Sequence, residues 1–421
     1  LKTRLAEIND LDHAAAVISW DQSTYMPTGG AAARARSQAT LGRLSQEKFI
    51  DPAVGKLLDE LQTYAESLPE DSDDAALIRV TRRNYERATK IPPDFLGEFL
   101  EHGALSYQAW AAARPKNDFD AVRPMLEKTL DYSRKIVGFF APYDHIIDPL
   151  IDFADYGMKA ATVSAIFAEL RKELVPIVQA ITSQTPADDS CLRKHFPKEA
   201  QLEICKEIVG RLGYDFNRGR LDLTHHPFET AFSVNDVRIT TRVKEDYLGE
   251  CLYSCIHESG HAMYEQGCNQ DYEGTPLRGG TGSGVHESQS RLWENVVGRS
   301  RGFCEFFYPR LQEVFPTQLG NVPLDTFYRA INKVERSLIR TDADEVTYNL
   351  HVMLRFDFEM ALLEGKLAVK DLPDAWHARF EQDLGMRAPD DRDGVLQDVH
   401  WFGGAIGGAF QGYTLGNVLG A

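Results

Sequence analysis

Residues 251–265 read CLYSCIHESGHAMYE, and within them stands His257-Glu258-Ser259-Gly260-His261, the pattern His-Glu-x-x-His. The stretch reads as part of a long helix beginning near Glu245. At 3.6 residues per turn, His257 and His261 lie about 40° apart on one face, one turn from each other. Two imidazoles so placed can reach a single zinc ion at ~2.0–2.1 Å. Glu258 is rotated about 100° from His257, too far round to ligate easily. It is well placed beside the coordination position that a water molecule would take. Cys251 and Cys255 face roughly 120° away from the mean histidine direction and read as core residues rather than ligands.

Two histidines require a third ligand. The extended motif with glycine and histidine three and six residues past His261 is excluded, because those positions hold Tyr264 and Gly267. A downstream carboxylate remains, with Glu265, Glu273, Glu287 and Glu294 as candidates. Glu265 is one turn below His261 on the same helix and too close to offer a tetrahedral direction. Glu273 falls in a loop. Glu287 opens the next helix, beyond the glycine-rich loop Gly274–Gly284 (GTPLRGGTGSG), and is preferred, with Glu294 second. For each, a structural ion pair is the competing reading.

Upstream, helical periodicity dominates: residues 74–90, 160–181, 198–212 and 323–365 carry apolar residues at three-and-four spacing. Between Gly219 and Val243 the pattern changes to period two, with runs at 221–224, 228–233 and 236–243. Asn235-Asp236 suits the turn of a hairpin. The expectation is a mainly α protein with one small antiparallel sheet preceding the motif helix. Residues 1–421 are read as a single domain, with 1–150 a helical subregion and 219–421 the metal and substrate-binding half.

Composition narrows the function classes. Apolar residues make up 43% and charged residues 26% of 421, an ordinary globular balance. A net charge of −17 argues against nucleic-acid and anionic-membrane partners, which need a basic face. Six cysteines with no Cys-x-x-Cys pair are too few for a disulfide framework and point to free thiols in the cytoplasm. No apolar run is long enough to span a bilayer; the glycine-rich stretch Trp401–Ala421 reads as a buried, close-packed segment. The N-terminus carries no signal-peptide pattern, and Leu1 in place of methionine puts the native start upstream.

Several ordered motifs now converge. They are Trp20-Asp21-Gln22, Ala88–Pro93 (ATKIPP), Asn117-Asp118-Phe119, His226-Pro227-Phe228, Asp236-x-Arg238-x-Thr240, His257-Glu258-x-x-His261 and His286-Glu287-Ser288. Ile339–Asp344 (IRTDAD) and Gly394-x-x-Gln397-Asp398-x-His400-Trp401 follow. Over nearly the whole chain the sequence resembles the carboxypeptidase Taq family of zinc metallocarboxypeptidases. The resemblance implies a large helical metallopeptidase fold with a deep cleft, part of whose wall is the 1–150 subregion, and a homodimer. It implies hydrolysis of the C-terminal peptide bond of peptides, releasing single amino acids with broad specificity. It agrees with Glu287 as third ligand of one divalent ion, Zn2+ or Co2+. Glu258 becomes the general base. His400 and Tyr413 are implied as oxyanion donors, and Arg340 as the clamp on a free C-terminal carboxylate, a role suited to its planar fork. Arg340 could instead pair with Asp342 or Asp344. Arg238 and His226 are implied as cleft residues, and Trp20, Asp21 and Gln22 read as structural.

Two departures stand out. The run Phe410–Asn417 (FQGYTLGN) replaces the family's aromatic-Pro-Thr-Tyr stretch, with Tyr413 at the tyrosine position. The family also continues with helical sequence beyond the position of Ala421. Two other functions compete with an exopeptidase: a zinc oligopeptidase or dipeptidase that cuts internally or releases dipeptides, and a metal-free helical binding protein. Glu258 argues against the last, because a structural site needs no base.

Overall fold

The computed structural model describes all residues from Leu1 to Ala421. Helices run through most of the chain, as the three-and-four spacing predicts. Helices at Asp73–Lys90, Ala160–Thr182 and Lys198–Leu212 match the periodic segments closely. The chain divides into two compact units, each assembled from three separate segments. The first comprises Leu1–Lys90, Ser190–Gly280 and Gln289–Leu324; the second comprises Ile91–Asp189, Thr281–Ser288 and Asp325–Ala421.

In the first unit, three strands form the single sheet: β1 (Leu221–Leu223), β2 (Glu229–Ser233) and β3 (Asp236–Thr241). The sheet is mixed, not antiparallel as expected. Its order is β1-β3-β2, with β2 antiparallel and β1 parallel to β3. The cause is burial. β3 carries the most apolar inner face, with Val237 and Ile239 fully buried, and so takes the centre. In a chain that runs up, down and up, the outer first strand must then lie parallel to the third. The sheet packs on the motif helix, Leu248–Gln266, which begins three residues later than expected. That helix buries Cys251, Leu252, Cys255, Ile256 and Ala262, so both cysteines are core residues. Trp20 is also buried, beneath the Arg238 guanidinium at 4.3 Å.

The second unit holds a large apolar core built from residues between Ala113 and Val178 and between Tyr348 and Leu415, with Trp376, Phe356, Phe380 and Phe410 at its centre. Burying a side chain of this size contributes roughly 1.5–3 kcal/mol. The 323–365 segment is not one helix. Helices at Leu324–Ile331 and Glu345–Leu363 flank an irregular stretch. Asp344 starts the second of these, its Oδ1 accepting from the backbone N–H of Val346 (2.9 Å) and Thr347 (3.1 Å). No helix of the chain is long and apolar enough to cross a membrane.

Candidate active site

The motif helix presents His257 and His261 on one face, with ring centroids 5.0 Å apart and planes at 78°. Glu258 is buried between them in sequence. The ligand atoms of His257, His261 and Glu287 all lie within 4.8 Å of one another. Two imidazoles and one carboxylate are a donor set suited to a divalent transition ion. The fit extends to the tautomer. His257 Nδ1 donates to Glu294 Oε2 at 2.8 Å, which leaves the Nε2 lone pair as the metal-binding one.

Glu287 lies on the short helix Ser283–Arg291. At its far end this helix lies against Gly260, where an added Cβ would come within 2.6 Å of both Gln289 O and Ser290 Cα. Only glycine between Ser259 and His261 permits that approach. At its start, Asp155 accepts from Ser283 Oγ (2.9 Å) and Gly284 N–H (2.7 Å).

Glu294, the second candidate for third ligand, sits behind His257 instead. Arg291 Nη1 and Arg299 Nη2 also reach it, at 3.0 and 3.4 Å. Burial pushes its carboxyl up, but Arg291, His257 and Arg299 hold it down at about 2, so it stays ionised. Its role as an outer partner went unread in the sequence; the spacing Arg291-x-x-Glu294, one helical turn, was the available signal. Glu229, at the start of β2, was missed altogether. Burial, then the nearby carboxylates of Glu265 and Glu258, raise its carboxyl well above the usual range.

The second unit carries the other predicted residues. Arg340 is buried, and its partner is neither Asp342 nor Asp344 but Asp398. Nε and Nη2 of Arg340 donate to the two Asp398 oxygens at 2.8 and 2.9 Å, and Nη1 to Tyr348 Oη at 3.0 Å. Arg355, fully buried, donates to the same carboxylate at 2.6 Å. Burial disfavours the Asp398 anion, but Arg355, Arg340 and the His400 hydrogen bond outweigh it and hold the carboxyl well below its usual range. His351, buried alongside, is driven neutral by burial and by Arg355 and Arg340. Two guanidiniums and one carboxylate leave one net positive charge in this cluster. Arg355 was legible as a lone arginine in the apolar run 350–363, which demands a buried partner.

His400 Nδ1 bonds Asp398 at 3.0 Å, and its Nε2 lies 3.3 Å from Tyr413 Oη. Burial pushes the Tyr413 phenol up to about 12, against the pull of Arg340. It is therefore a neutral O–H donor throughout the working range of most enzymes. His400, Tyr413 and Arg340 thus form one connected group. Arg238 and His226 lie in the first unit. Both Asp236 oxygens take the Arg238 fork at 2.8 Å, the guanidinium stacks on Trp20 and Phe232, and His226 is exposed in the loop before β2.

Comparison with known proteins agrees with this geometry. The chain is 42% identical over 418 residues to thermostable carboxypeptidase 1 of Thermus thermophilus, covering 96% of this chain and 81% of that protein. It is 36% identical to carboxypeptidase 1 of Bacillus subtilis, covering 99% and 83%. Among solved structures, an M32 carboxypeptidase from Deinococcus radiodurans superposes with a TM-score of 0.96 at 50% identity, covering 100% of this chain and 84% of that one. Metallocarboxypeptidase 1 of Trypanosoma cruzi gives 0.94 at 32%, covering 100% and 84%. The family model described as carboxypeptidase Taq (M32) metallopeptidase matches residues 1–421. The chain belongs to that family and is a metallocarboxypeptidase.

Proposed function

We propose that this metallocarboxypeptidase holds one zinc ion through His257, His261 and Glu287 and trims single residues from peptides with a free C-terminus. The observation that carries the reading is the His-His-Glu group with Glu258 between its two histidines in sequence. Bound there, a divalent ion supplies Lewis-acid polarisation of the scissile carbonyl and an acidified water. Glu258 accepts a proton on its carboxylate and returns it to the leaving amine. The Tyr413 phenol, with His400 behind it, donates to the oxygen on which charge develops. Asp398 holds the His400 ring by Nδ1.

The terminal carboxylate is bound through the Arg340–Arg355–Asp398 cluster. Its uncompensated positive charge supports this role, because a substrate anion supplies the second negative charge that two guanidiniums lack. Arg238 and His226 serve as flanking substrate contacts in the same proposal. Cobalt suits the same ligands. The free thiols, with no disulfide among them, support a reducing, cytoplasmic location, and the homodimer follows from the family resemblance.

The test is a mass-spectrometric time course on one peptide as free acid and as C-terminal amide. The acid should be trimmed one residue at a time and the amide should resist. Arg340→Ala should lose roughly 10- to 150-fold in kcat/KM on the acid, the range of a charge-assisted hydrogen bond, and little on the amide. Equal cleavage of both peptides, or internal fragments appearing first, would favour the oligopeptidase reading instead.

A further inference from the structure

Asp155 is buried just past the helix Asp148–Ala154. Its backbone is fixed on both sides: the N–H donates to Ile151 O at 2.8 Å, and the carbonyl accepts from Met158 N–H at 3.0 Å. Three neutral donors hold its carboxylate. Oδ1 accepts from Gly284 N–H at 2.7 Å. Oδ2 accepts from Ser283 Oγ at 2.9 Å and from Gln411 Nε2 at 3.1 Å. A buried carboxylate is costly unless such hydrogen bonds offset its lost hydration, and here they come from two elements that meet nowhere in sequence.

Ser283 and Gly284 open the helix Ser283–Arg291, which carries Glu287. Gln411 opens the helix Gln411–Gly420, which carries Tyr413. Asp155, Glu287 and Tyr413 all belong to the second unit. The two helices also touch through glycines. A Cβ added at Gly412 would fall onto Ser283 Oγ, and one at Gly284 would lie 3.0 Å from Leu415 Cβ. One at Gly416 would lie 2.5 Å from Glu287 Cγ. Close contact and one shared carboxylate therefore set the position of one helix against the other.

We propose that Asp155 is a positioning residue for the reaction, the common anchor that sets Glu287 and Tyr413 in register. The inference rests on the proposed roles of Glu287 as metal ligand and Tyr413 as oxyanion donor. Two acceptor oxygens are what the task requires. An asparagine at this position has one acceptor. Turned toward Gly284, its amide nitrogen faces Ser283 and Gln411, whose Nε2 is also engaged by Gly408 O at 2.8 Å. Turned the other way, it faces the Gly284 N–H. Either orientation leaves the start of one helix without its acceptor.

The experiment measures two quantities on each variant: Zn2+ affinity of the metal-free protein against a chelating dye, and kcat and KM of the Zn2+-saturated enzyme on a peptide with a free C-terminus. Asp155→Asn should weaken Zn2+ binding by ~10- to 100-fold, the range for an outer partner of a metal ligand. It should also lower kcat by ~10- to 100-fold with KM near wild type, because a displaced Tyr413 fails only where charge develops. Ser283→Ala should cost ~2- to 10-fold, mainly in affinity, and Gln411→Leu a similar factor, mainly in kcat. If Asp155→Asn does not fold, the Ser283→Ala/Gln411→Leu double variant carries the test and should show both losses. Urea midpoints on all variants report stability alone. A lowered midpoint with affinity and kcat both within threefold of wild type would reduce Asp155 to local packing and overturn the inference. A loss in only one of the two quantities would overturn the shared anchor as well. Glu287→Ala and Tyr413→Phe serve as references. If they leave affinity and kcat unchanged, the underlying roles fail and this inference with them; if they respond and Asp155→Asn does not, only the inference fails.

Discussion

Replacing Glu294 by glutamine separates the ligand from its support. The amide keeps an oxygen for the His257 Nδ1–H but removes the negative charge that Arg291 and Arg299 also use. A hydrogen bond to a charged group contributes ~1.5–3 kcal/mol and a neutral one about 1. The loss is therefore ~0.5–2 kcal/mol, or roughly 2- to 30-fold in metal affinity, and complete removal in Glu294→Ala should reach ~10- to 100-fold. Glu287→Ala deletes a ligand outright and should cost at least ten times more than Glu294→Gln. The assay is competition between metal-free protein and a chelating dye for Zn2+, with helical circular dichroism recorded on each variant. Urea unfolding of the metal-free proteins separates any loss of fold from loss of affinity, since Glu294→Gln also leaves two arginines facing an uncharged amide. If Glu294→Gln abolishes binding while Glu287→Ala retains it, the two carboxylates have exchanged roles. Affinities for both within threefold of wild type would refute the reasoning for both.

Glu258→Gln should retain metal and lose ~10²–10⁴-fold in kcat, because an amide accepts no proton; a kcat within threefold of wild type removes Glu258 as the base. Glu359 gives a pH prediction. Burial raises its carboxyl to about 8, against the Trp401 Nε1–H bond of 2.9 Å, which favours the anion. Between pH 4.5 and about 8 the unfolded chain sheds this proton and the folded chain keeps it. Stability should thus fall as pH rises across that window, by up to ~1.4 kcal/mol per pH unit from this group. Glu359→Gln should flatten the dependence; parallel urea-midpoint curves for variant and wild type from pH 5 to 8 would show that Glu359 titrates normally.

What was legible in the sequence followed from local rules. The motif helix and the shared face of His257 and His261 depend only on 3.6-residue geometry, and the grouping of Glu287 with them on the reach of the next helix. Alternation identified the three strands but not their order, because period two says which face is buried and not which strand is central. Ile331, Val334 and Leu338 keep a helical spacing of apolar residues, yet residues 332–339 lie outside any helix. There the tertiary pull of Asp398 on Arg340, 58 positions along the chain, overrides local preference. Asp342 and Asp344 are the nearest acids to Arg340 in sequence, and its true partner lies beyond any local window. The interleaving of three segments in each unit left no mark on composition either.

The surroundings of Glu287 hold the proposed third ligand in place before any ion binds. Its helix is nine residues long, too short to be stable alone. Asp155 satisfies the N–H of Gly284 and the Ser283 hydroxyl at its start. Gly260 admits Gln289 and Ser290 at its far end. Gly416 admits the Glu287 side chain itself, for a Cβ there would fall 2.5 Å from Glu287 Cγ. With the helix held at both ends and the Glu287 stem against Gly416, part of the side chain's rotamer freedom is given up when the chain folds, not when the ion binds. That matters because ordering a glutamate otherwise costs up to about 1.5–2 kcal/mol, roughly a factor of ten or more in affinity. An added methyl group at position 260 or 416 must therefore displace the ligand helix or the ligand stem. Its cost would appear in metal affinity as well as in folding.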